Sequence, residues 1–372
     1  MPLQRRTFAA TASAAFPNDE SLLAAILASI ATHDMSVVRS GQRFEIGSHY
    51  GTAHIEMRAG HLLLSVETES REALNRMKHA LVGPISFIAA SEKLDFEWIG
   101  DEPGLTPLGD LRILRVKGAT QITPRMRRIV FEGDDLFRFD RDDHLHCRLI
   151  FQPKGVAAPG WPAIDDRGHI VWPAQGKLDT RVYTIRAIDA RAGEITIDFA
   201  LHGRVGPATR WAVEASVGDL VGIVGPAAEG PRPARFYVLA GDETALPGIA
   251  RILESLDSEA RGFALVEIDE PGEELFLMRP QGVEIRWLHR KGAERGTTAL
   301  LLDAIRSIAW PSDLGEVFFW GGCEHAAFRK VHRYLRHEVG LPRDRQVFYS
   351  HWHRSLSEEQ IIAVGAKAYL PD

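Results

Sequence analysis

Arg235-Phe236-Tyr237-Val238-Leu239-Ala240 is a nearly continuous apolar run, and the chain leaves it through Gly241-Asp242-Glu243-Thr244-Ala245-Leu246-Pro247-Gly248 into a helix ending near Leu256. A strand with no polar alternation is buried on both faces, which requires a parallel sheet covered by helices. Further buried strands are expected at Phe263–Ile268, Glu284–Leu288 and Val317–Trp320, with helices at Thr297–Ile308 and Glu324–Val339. Buried strands alternating with helices define a mostly parallel α/β unit. Such sheets bind ligands beyond the carboxyl ends of their strands. Two loops lie at those ends, 240–247 and Trp320-Gly321-Gly322-Cys323-Glu324.

Upstream the period is different. Strands at Leu111–Lys117, Met126–Glu132, His146–Phe151, Thr180–Ile188, Glu194–Phe199 and Val221–Val224 are separated by Gly/Pro turns, the pattern of a small antiparallel barrel. The stretch from Gln152 to Gly176 is long and rich in Pro and Gly, a functional loop or a local insertion. Within the barrel, Arg181-Val182-Tyr183-Thr184-Ile185-Arg186 alternates so that Arg181, Tyr183 and Ile185 share one face and Thr184 and Arg186 the other. Two readings of this strand stand. One is a half-buried strand with two surface arginines. The other is a site for a flat aromatic ligand carrying phosphates, where tyrosine covers the ring, the hydroxyl bonds its polar atoms and an arginine pairs with phosphate. Gly206-Pro207-Ala208-Thr209-Arg210-Trp211 then starts a helix, and a helix N-terminus holds phosphate through its unpaired N–H groups.

Residues 1–103 read as a separate small α+β unit. Asn18 or Asp19 caps a helix from Ser21 to about Thr32, strands follow at Ser36–Arg39, Arg43–Ile46, Thr52–Arg58 and Leu62–Glu67, then a helix at Ser70–Leu81 and a strand near Leu94–Trp98. Arg5-Arg6 before an alanine-rich run has the look of a twin-arginine export signal. The run is short and weakly apolar, however, with no clear cleavage site before Pro17, so a first strand or a loose terminus is expected. The histidines here, His33, His49, His54, His61 and His79, show no metal-ligand spacing. Asp101-Glu102-Pro103-Gly104-Leu105-Thr106-Pro107 is a linker.

Composition narrows the functions. A net charge of -6 gives no reason to expect nucleic acid as a partner. Two distant cysteines, Cys147 and Cys323, build neither a disulfide framework nor a four-cysteine iron–sulfur cluster. No run of about 18 apolar residues is present to span a membrane.

The Arg-x-Tyr-Thr-x-Arg strand followed by the Gly-x-x-Thr turn resembles the flavin site of the ferredoxin-reductase-like flavoproteins. Asp198-Phe199-Ala200-Leu201-His202-Gly203, the following Gly206-Pro207-Ala208-Thr209-Arg210-Trp211-Ala212 and the wording Gly-Asp-Glu-Thr-Ala-Leu-Pro at 241–247 resemble more specifically the siderophore-interacting protein family, over about residues 107–355. The order of the first unit resembles uncharacterised domains often found ahead of that family.

The resemblance implies a multidomain α+β chain. A small α+β domain of unknown function spans 1–103, an antiparallel FAD-binding β-barrel 107–232, a parallel α/β nicotinamide-binding domain 233–355, and a C-terminal helix 356–372. It implies an FAD-dependent ferric-siderophore reductase in the cytoplasm that uses NADH or NADPH, or receives electrons from a donor protein. A general flavin or ferric-chelate reductase, and a ferric-siderophore binder without turnover, remain as alternatives. FAD contacts are implied for Arg181, Val182, Tyr183, Thr184, Arg186, Asp198, His202, Gly206, Pro207, Ala208, Thr209 and Trp211, and dinucleotide contacts for Gly241, Asp242 and Thr244. Asp242-Glu243 would itself repel phosphate. Trp352 is placed to cover the flavin or nicotinamide face. Departures occur at Gly321-Gly322-Cys323, where the family usually has x-Ala-Gly, and at Ser350-His351, which stand for Gly-Tyr. Cys323 is either a packing residue or one that helps position hydride transfer. No catalytic acid–base residue and no metal site is identified. Arg290 and Lys291, beside Arg295, form a basic cluster expected to attract an anionic iron chelate.

Overall fold

The computed structural model describes residues 7–31, 35–156, 158–201, 206–357 and 360–361. The described residues form two compact units, one within 7–111 and 158–177 together with Ile361, the other within 112–156 and 178–360. No helix among them is long and apolar enough to cross a membrane.

The first unit is a six-stranded antiparallel sheet with two helices on one face. Its elements are β1 (Phe8–Ala15), α1 (Glu20–Ala31), β2 (Ser36–Ser40), β3 (Arg43–Ser48), β4 (Gly51–Arg58), β5 (His61–Thr68), α2 (Arg71–Ile88), β6 (Glu97–Gly100) and the short β7 (Thr106–Pro107). The sheet order is β2-β3-β4-β5-β1-β6. The alanine-rich run after Arg5-Arg6 is therefore an interior strand. Ala10, Ala12 and Ala14 alternate into the core beside Ile26, Ile30, Ile55 and Leu64. Asp19 caps α1, accepting from the N–H groups of Ser21 and Leu22 at 2.9 and 3.0 Å. Helix α2 runs through Pro84 to Ile88, beyond its expected end at Leu81, because Val82 and Ile85 are buried and that packing outweighs the lost backbone bond.

The second unit opens with β8 (Arg112–Thr123), β9 (Met126–Gly133) and β10 (His144–Phe151). The long segment that follows is part of the first unit. There β11 (Ala163–Ile164) and β12 (Ile170–Val171) build a small sheet on β7. Asn75 Nδ2 donates to the Ile164 carbonyl at 3.3 Å, and Lys78 Nζ to the Asp166 carbonyl at 2.9 Å and the Asp101 carbonyl at 3.3 Å. Lys78 is fully buried, and burial pushes its pKa down against the pull of nearby carboxylates, chiefly Asp166.

The barrel resumes with β13 (Asp179–Thr184), β14 (Ala187–Asp189), β15 (Glu194–Ala200), helix α3 (Pro207–Glu214) and β16 (Leu220–Glu229), in the order β13-β10-β16-β8-β9-β15-β14. The expected strand Thr180–Ile188 is broken at Ile185-Arg186. Ile185 N bonds Leu145 O and Arg186 N bonds Thr196 O, so the chain crosses from β10 to β15 and closes the barrel there.

The parallel half contains β17 (Phe236–Asp242), α4 (Leu246–Ser255), β18 (Arg261–Ile268), β19 (Val283–His289), α5 (Leu300–Arg306), β20 (Val317–Glu324), α6 (His325–Tyr334) and β21 (Gln346–Trp352). All neighbours pair in parallel, in the order β19-β18-β17-β20-β21. Leu239 packs into the core under α4, while Val238 and Ala240 pack into the opposite one with α5 and α6. The order reverses between β17 and β20, so the crevice expected to take a ligand opens beyond Asp242 and Gly322. The helix expected over Ser357–Lys367 falls almost wholly outside the described residues.

Candidate functional site

Residue Gly206 has φ +120°, a conformation that favours glycine, and a Cβ built there would meet nothing within 4 Å. It heads α3, which has Pro207 in its first turn and no side-chain cap among the described residues. The N–H groups of Ala208 and Thr209 therefore have no partner within the helix. An open, uncapped helix end suits the pyrophosphate of FAD, so the residues present fit that group here. His202 lies outside the described residues. Trp211 points the other way. It is buried under α3 against Phe131, Phe151 and Phe199, so its ring supports the helix from below.

On β13, Tyr183 is half-buried with its ring 4.5 Å from that of Phe199, and Ile185 fills the barrel core. Val182 is half exposed at the strand's edge. Arg181 Nη1 donates to the Thr180 carbonyl at 2.6 Å. Thr184 is buried and faces His146 across the β10–β13 ladder. Two expected contacts are corrected. The Arg186 guanidinium forks onto Glu254 of α4 at 2.8 and 2.5 Å, and that ion pair occupies the charge expected to meet phosphate. Asp198 is buried opposite Arg128 and accepts two bonds from it at 2.7 and 2.8 Å, which makes it a cross-strand clamp.

The crevice is built by close backbone approach. A Cβ on Gly241 would lie 2.2 Å from the Gly322 carbonyl, and one on Gly321 2.2 Å from the Ala240 carbonyl. Between these strands Asp242 accepts four hydrogen bonds and ties together three segments. Its Oδ1 accepts from Thr244 N at 2.8 Å and Thr244 Oγ1 at 2.5 Å. Its Oδ2 accepts from Trp352 Nε1 at 2.8 Å and Glu324 N at 3.2 Å. Burial raises the Asp242 pKa, but the charge of Arg295 and the bonds from Thr244 and Trp352 outweigh it and hold the carboxyl below its ordinary range. Trp352 is thereby pinned by one end, with the Arg295 guanidinium over its ring at 4.9 Å.

The carboxylate of Glu243 does not confront a ligand's phosphate either. Arg290 forks onto it at 2.7 and 3.0 Å, and Arg295 reaches it at 2.7 Å. This corrects the role expected for Arg290. Its side chain is 1% exposed and committed to Glu243 and Glu267, so it cannot draw in an iron chelate; Lys291 alone of that pair is exposed. Cys323 is buried in the core under α5 and α6 with its thiol pushed well up by burial, the environment of a packing residue.

Two residues of the site have no expected role from the sequence. Arg251 of α4 donates to the carbonyls of Ile185 and Arg141 at 3.0 and 2.6 Å, joining the parallel half to the break between β13 and β14. His146 lies on β10 against Trp320, Tyr349 and His351, and burial, with minor contributions from His351 and Arg251, pushes its pKa down to about 3. Its only signal in the sequence is a histidine between Leu145 and Cys147 on a strand ending in the apolar run Leu149-Ile150-Phe151.

A closed antiparallel barrel with an open helix end, joined to a parallel sheet whose crevice lies beside the barrel's Thr184 strand, defines a ferredoxin-reductase-like flavoprotein fold. Residues 115–230 match the siderophore-interacting FAD-binding domain, residues 234–355 the siderophore-interacting protein family, and residues 11–99 a family described as an uncharacterized protein conserved in bacteria. The chain belongs to the siderophore-interacting protein family. A siderophore utilization protein from T. fusca is 37% identical in its crystal structure, with a TM-score of 0.60, and the match covers 68% of this chain and 97% of that one. The ferric vibriobactin reductase ViuB of Vibrio cholerae is 28% identical over 250 residues, 67% of this chain and 91% of that protein. An NADPH-dependent ferric-chelate reductase of Escherichia coli is 32% identical over 186 residues, 48% of this chain and 70% of that protein.

Proposed function

We propose that this protein is an FAD-dependent ferric-siderophore reductase acting in the cytoplasm, with NAD(P)H as its electron source. The observation that carries this is the meeting of two half-sites: His146, opposite Thr184 on the barrel, packs against Trp320 and His351 at the crevice of the parallel sheet. A flavin bound at the barrel and a nicotinamide bound at the crevice are then neighbours. Bound FAD would supply the step from a two-electron hydride to one-electron reduction of iron. Fe(II) binds hard oxygen chelators far less tightly than Fe(III), and release follows.

The chain's own residues bind and orient. The α3 end with Gly206, Ala208 and Thr209 holds pyrophosphate, while Arg181, Tyr183 and Thr184 lie along the isoalloxazine. Gly241 and Gly322 let the dinucleotide approach the backbone, and Asp242 holds Thr244 and Trp352 in place. Lys291 is the exposed cation left to meet an anionic chelate.

The test is a purified protein, its visible spectrum, and Fe(II) capture after adding ferric siderophore with NADH or with NADPH. Flavin absorbance with about one FAD per chain and Fe(II) production are expected. Arg181→Ala should weaken FAD binding by about 1.5–3 kcal/mol, the scale of a hydrogen bond to a charged group. A colourless protein that takes up no added FAD would overturn the proposal. Reduction of simple chelates with no gain on siderophores would favour the broader ferric-chelate activity named for the Escherichia coli relative. Failure with both dinucleotides but success with a reduced ferredoxin would replace NAD(P)H by a protein donor.

A further inference from the structure

Three ring nitrogens lie buried at one place without a hydrogen-bond partner among the described residues: Nδ1 and Nε2 of His146 and Nε2 of His351. His146 is only 3% exposed, and its ring stands edge-on to His351 with centroids 5.4 Å apart. Each unsatisfied buried polar group costs about 1–3 kcal/mol. Several of them at a single point call for an explanation.

The hydrogen bonds around His351 determine which of its nitrogens carries the proton. Asp242 as a carboxylate only accepts, so the Thr244 hydroxyl donates to it at 2.5 Å. That hydroxyl then accepts from His351 Nδ1 at 3.1 Å, which requires the N–H on Nδ1. A neutral His351 is left with a bare lone pair on Nε2, buried at the place where its ring meets His146. The seat exists because residue 322 is glycine, since a Cβ there would lie 2.2 Å from the ring.

The proposed reaction has a proton to dispose of. A hydride carries two electrons and one proton. Two Fe(III) ions take one electron each, and the proton must leave the site. Resting on that reaction, we infer that His351 accepts this proton at Nε2, with Asp242 stabilising the imidazolium through Thr244 and His146 holding the ring from the barrel side. The new bond is Nε2–H, the electrons end on iron, and the Nδ1–H stays on Thr244. His351 is partly exposed as a residue while Nε2 itself is buried, so the proton passes to solvent in a later step.

The charged and titratable groups around His351 come from several elements. Asp242 and Glu324 approach from the ends of β17 and β20, Tyr349 from β21 and His146 from β10. Arg295 acts through Asp242, and Arg251 of α4 through His146. Burial lowers the His351 pKa more than Asp242 raises it, so the ring is neutral at pH 7 and able to accept.

The test separates the two half-reactions of the FAD-loaded protein by stopped flow. NADPH bleaches the flavin anaerobically, and ferric citrate then restores it. In His351→Phe the restoring step should slow by about tenfold or more beyond any change in bleaching, a conservative share of what a positioned general base contributes. That step should fall on the acid side in the native protein and lose its pH dependence in the variant. Nitrogen-15 spectra of the flavin-free protein should show His351 as the Nδ1–H tautomer, shifting toward Nε2–H in Thr244→Val. Equal slowing of both steps, an unchanged restoring step, or an Nε2–H tautomer in the native protein would overturn the inference. If the native protein reduces no chelate, the reductase reading fails by itself, and the tautomer still decides the arrangement.

Discussion

Gly322 and His351 occupy one space: a Cβ built on Gly322 lies 2.2 Å from Cε1 and 2.4 Å from Nε2 of the imidazole. Both positions depart from the usual wording of the family, and each departure makes sense of the other, because a methyl at 322 would evict the ring. Gly322→Ala is therefore expected to destabilise the protein by about 1–3 kcal/mol, the usual cost of overpacking. In a His351→Ala background the same methyl enters vacated space and its cost should largely vanish. Urea unfolding of the four proteins gives the coupling energy directly. Additive effects would mean that the two positions do not share that space.

Asp198 clamps Arg128 across β9 and β15 and does not face a cofactor. Its side chain is 3% exposed and that of Arg128 34%. Asp198→Ala should cost about 1–3 kcal/mol, the penalty for stranding a charged hydrogen-bond partner. This is below the loss for a fully buried pair, since water reaches the arginine. FAD affinity of the folded variant should stay within about twofold. Lost flavin binding at unchanged melting temperature would return Asp198 to the flavin site.

What the sequence shows and hides follows from range. The parallel half is legible because strands buried on both faces must be written in apolar residues, as Val238 and Leu239 show by packing into opposite cores. The open helix end at Gly206-Pro207 is legible because glycine and proline act locally. The commitments of Arg186, Asp198 and Arg290 are not. Their partners Glu254, Arg128 and Glu243 lie 68, 70 and 47 residues away, and only strand register and helix docking bring them together. Trp211 and Trp352 are both expected beside a cofactor, yet one ring faces the barrel core and the other is tied to Asp242. His146 gains its environment only when β20 and β21 arrive, some 170 residues or more later in the chain.

The insertion at 157–177 changes how the first unit can be removed. Ile164 is fully buried there, and its carbonyl accepts from Asn75 of α2. A chain beginning near Thr106 would keep this segment and lose the strands and helices it packs on. We expect that version to expose Ile164 and to aggregate. A chain of residues 112–357 with 157–177 replaced by a short Gly/Ser linker should instead stay monodisperse and bind FAD. Size-exclusion chromatography and flavin absorbance of both versions make the comparison. Flavin loss from a monodisperse linker version would show that the first unit supports the flavin site.

The buried imidazole of His146 should also be visible in acid stability. Its pKa is about 3 in the folded protein, against an ordinary 6.5, chiefly because burial disfavours the charged ring. Above pH 6.5 the ring is neutral in both folded and unfolded chains, and its full contribution to stability is present. Between pH 6.5 and about 3 only the unfolded chain binds the proton, so stability falls as pH is lowered. The slope from this one group is about 1.4 kcal/mol per pH unit. Below about pH 3 both states are protonated and the contribution is lost. His146→Phe removes the titrating group while keeping an aromatic ring against Trp320 and Tyr349. Its urea midpoint should therefore decline less steeply than that of the native protein from pH 6.5 to 4. Parallel declines would mean that His146 is already paired in the folded state, and its two ring nitrogens would no longer count among the unsatisfied groups beside His351.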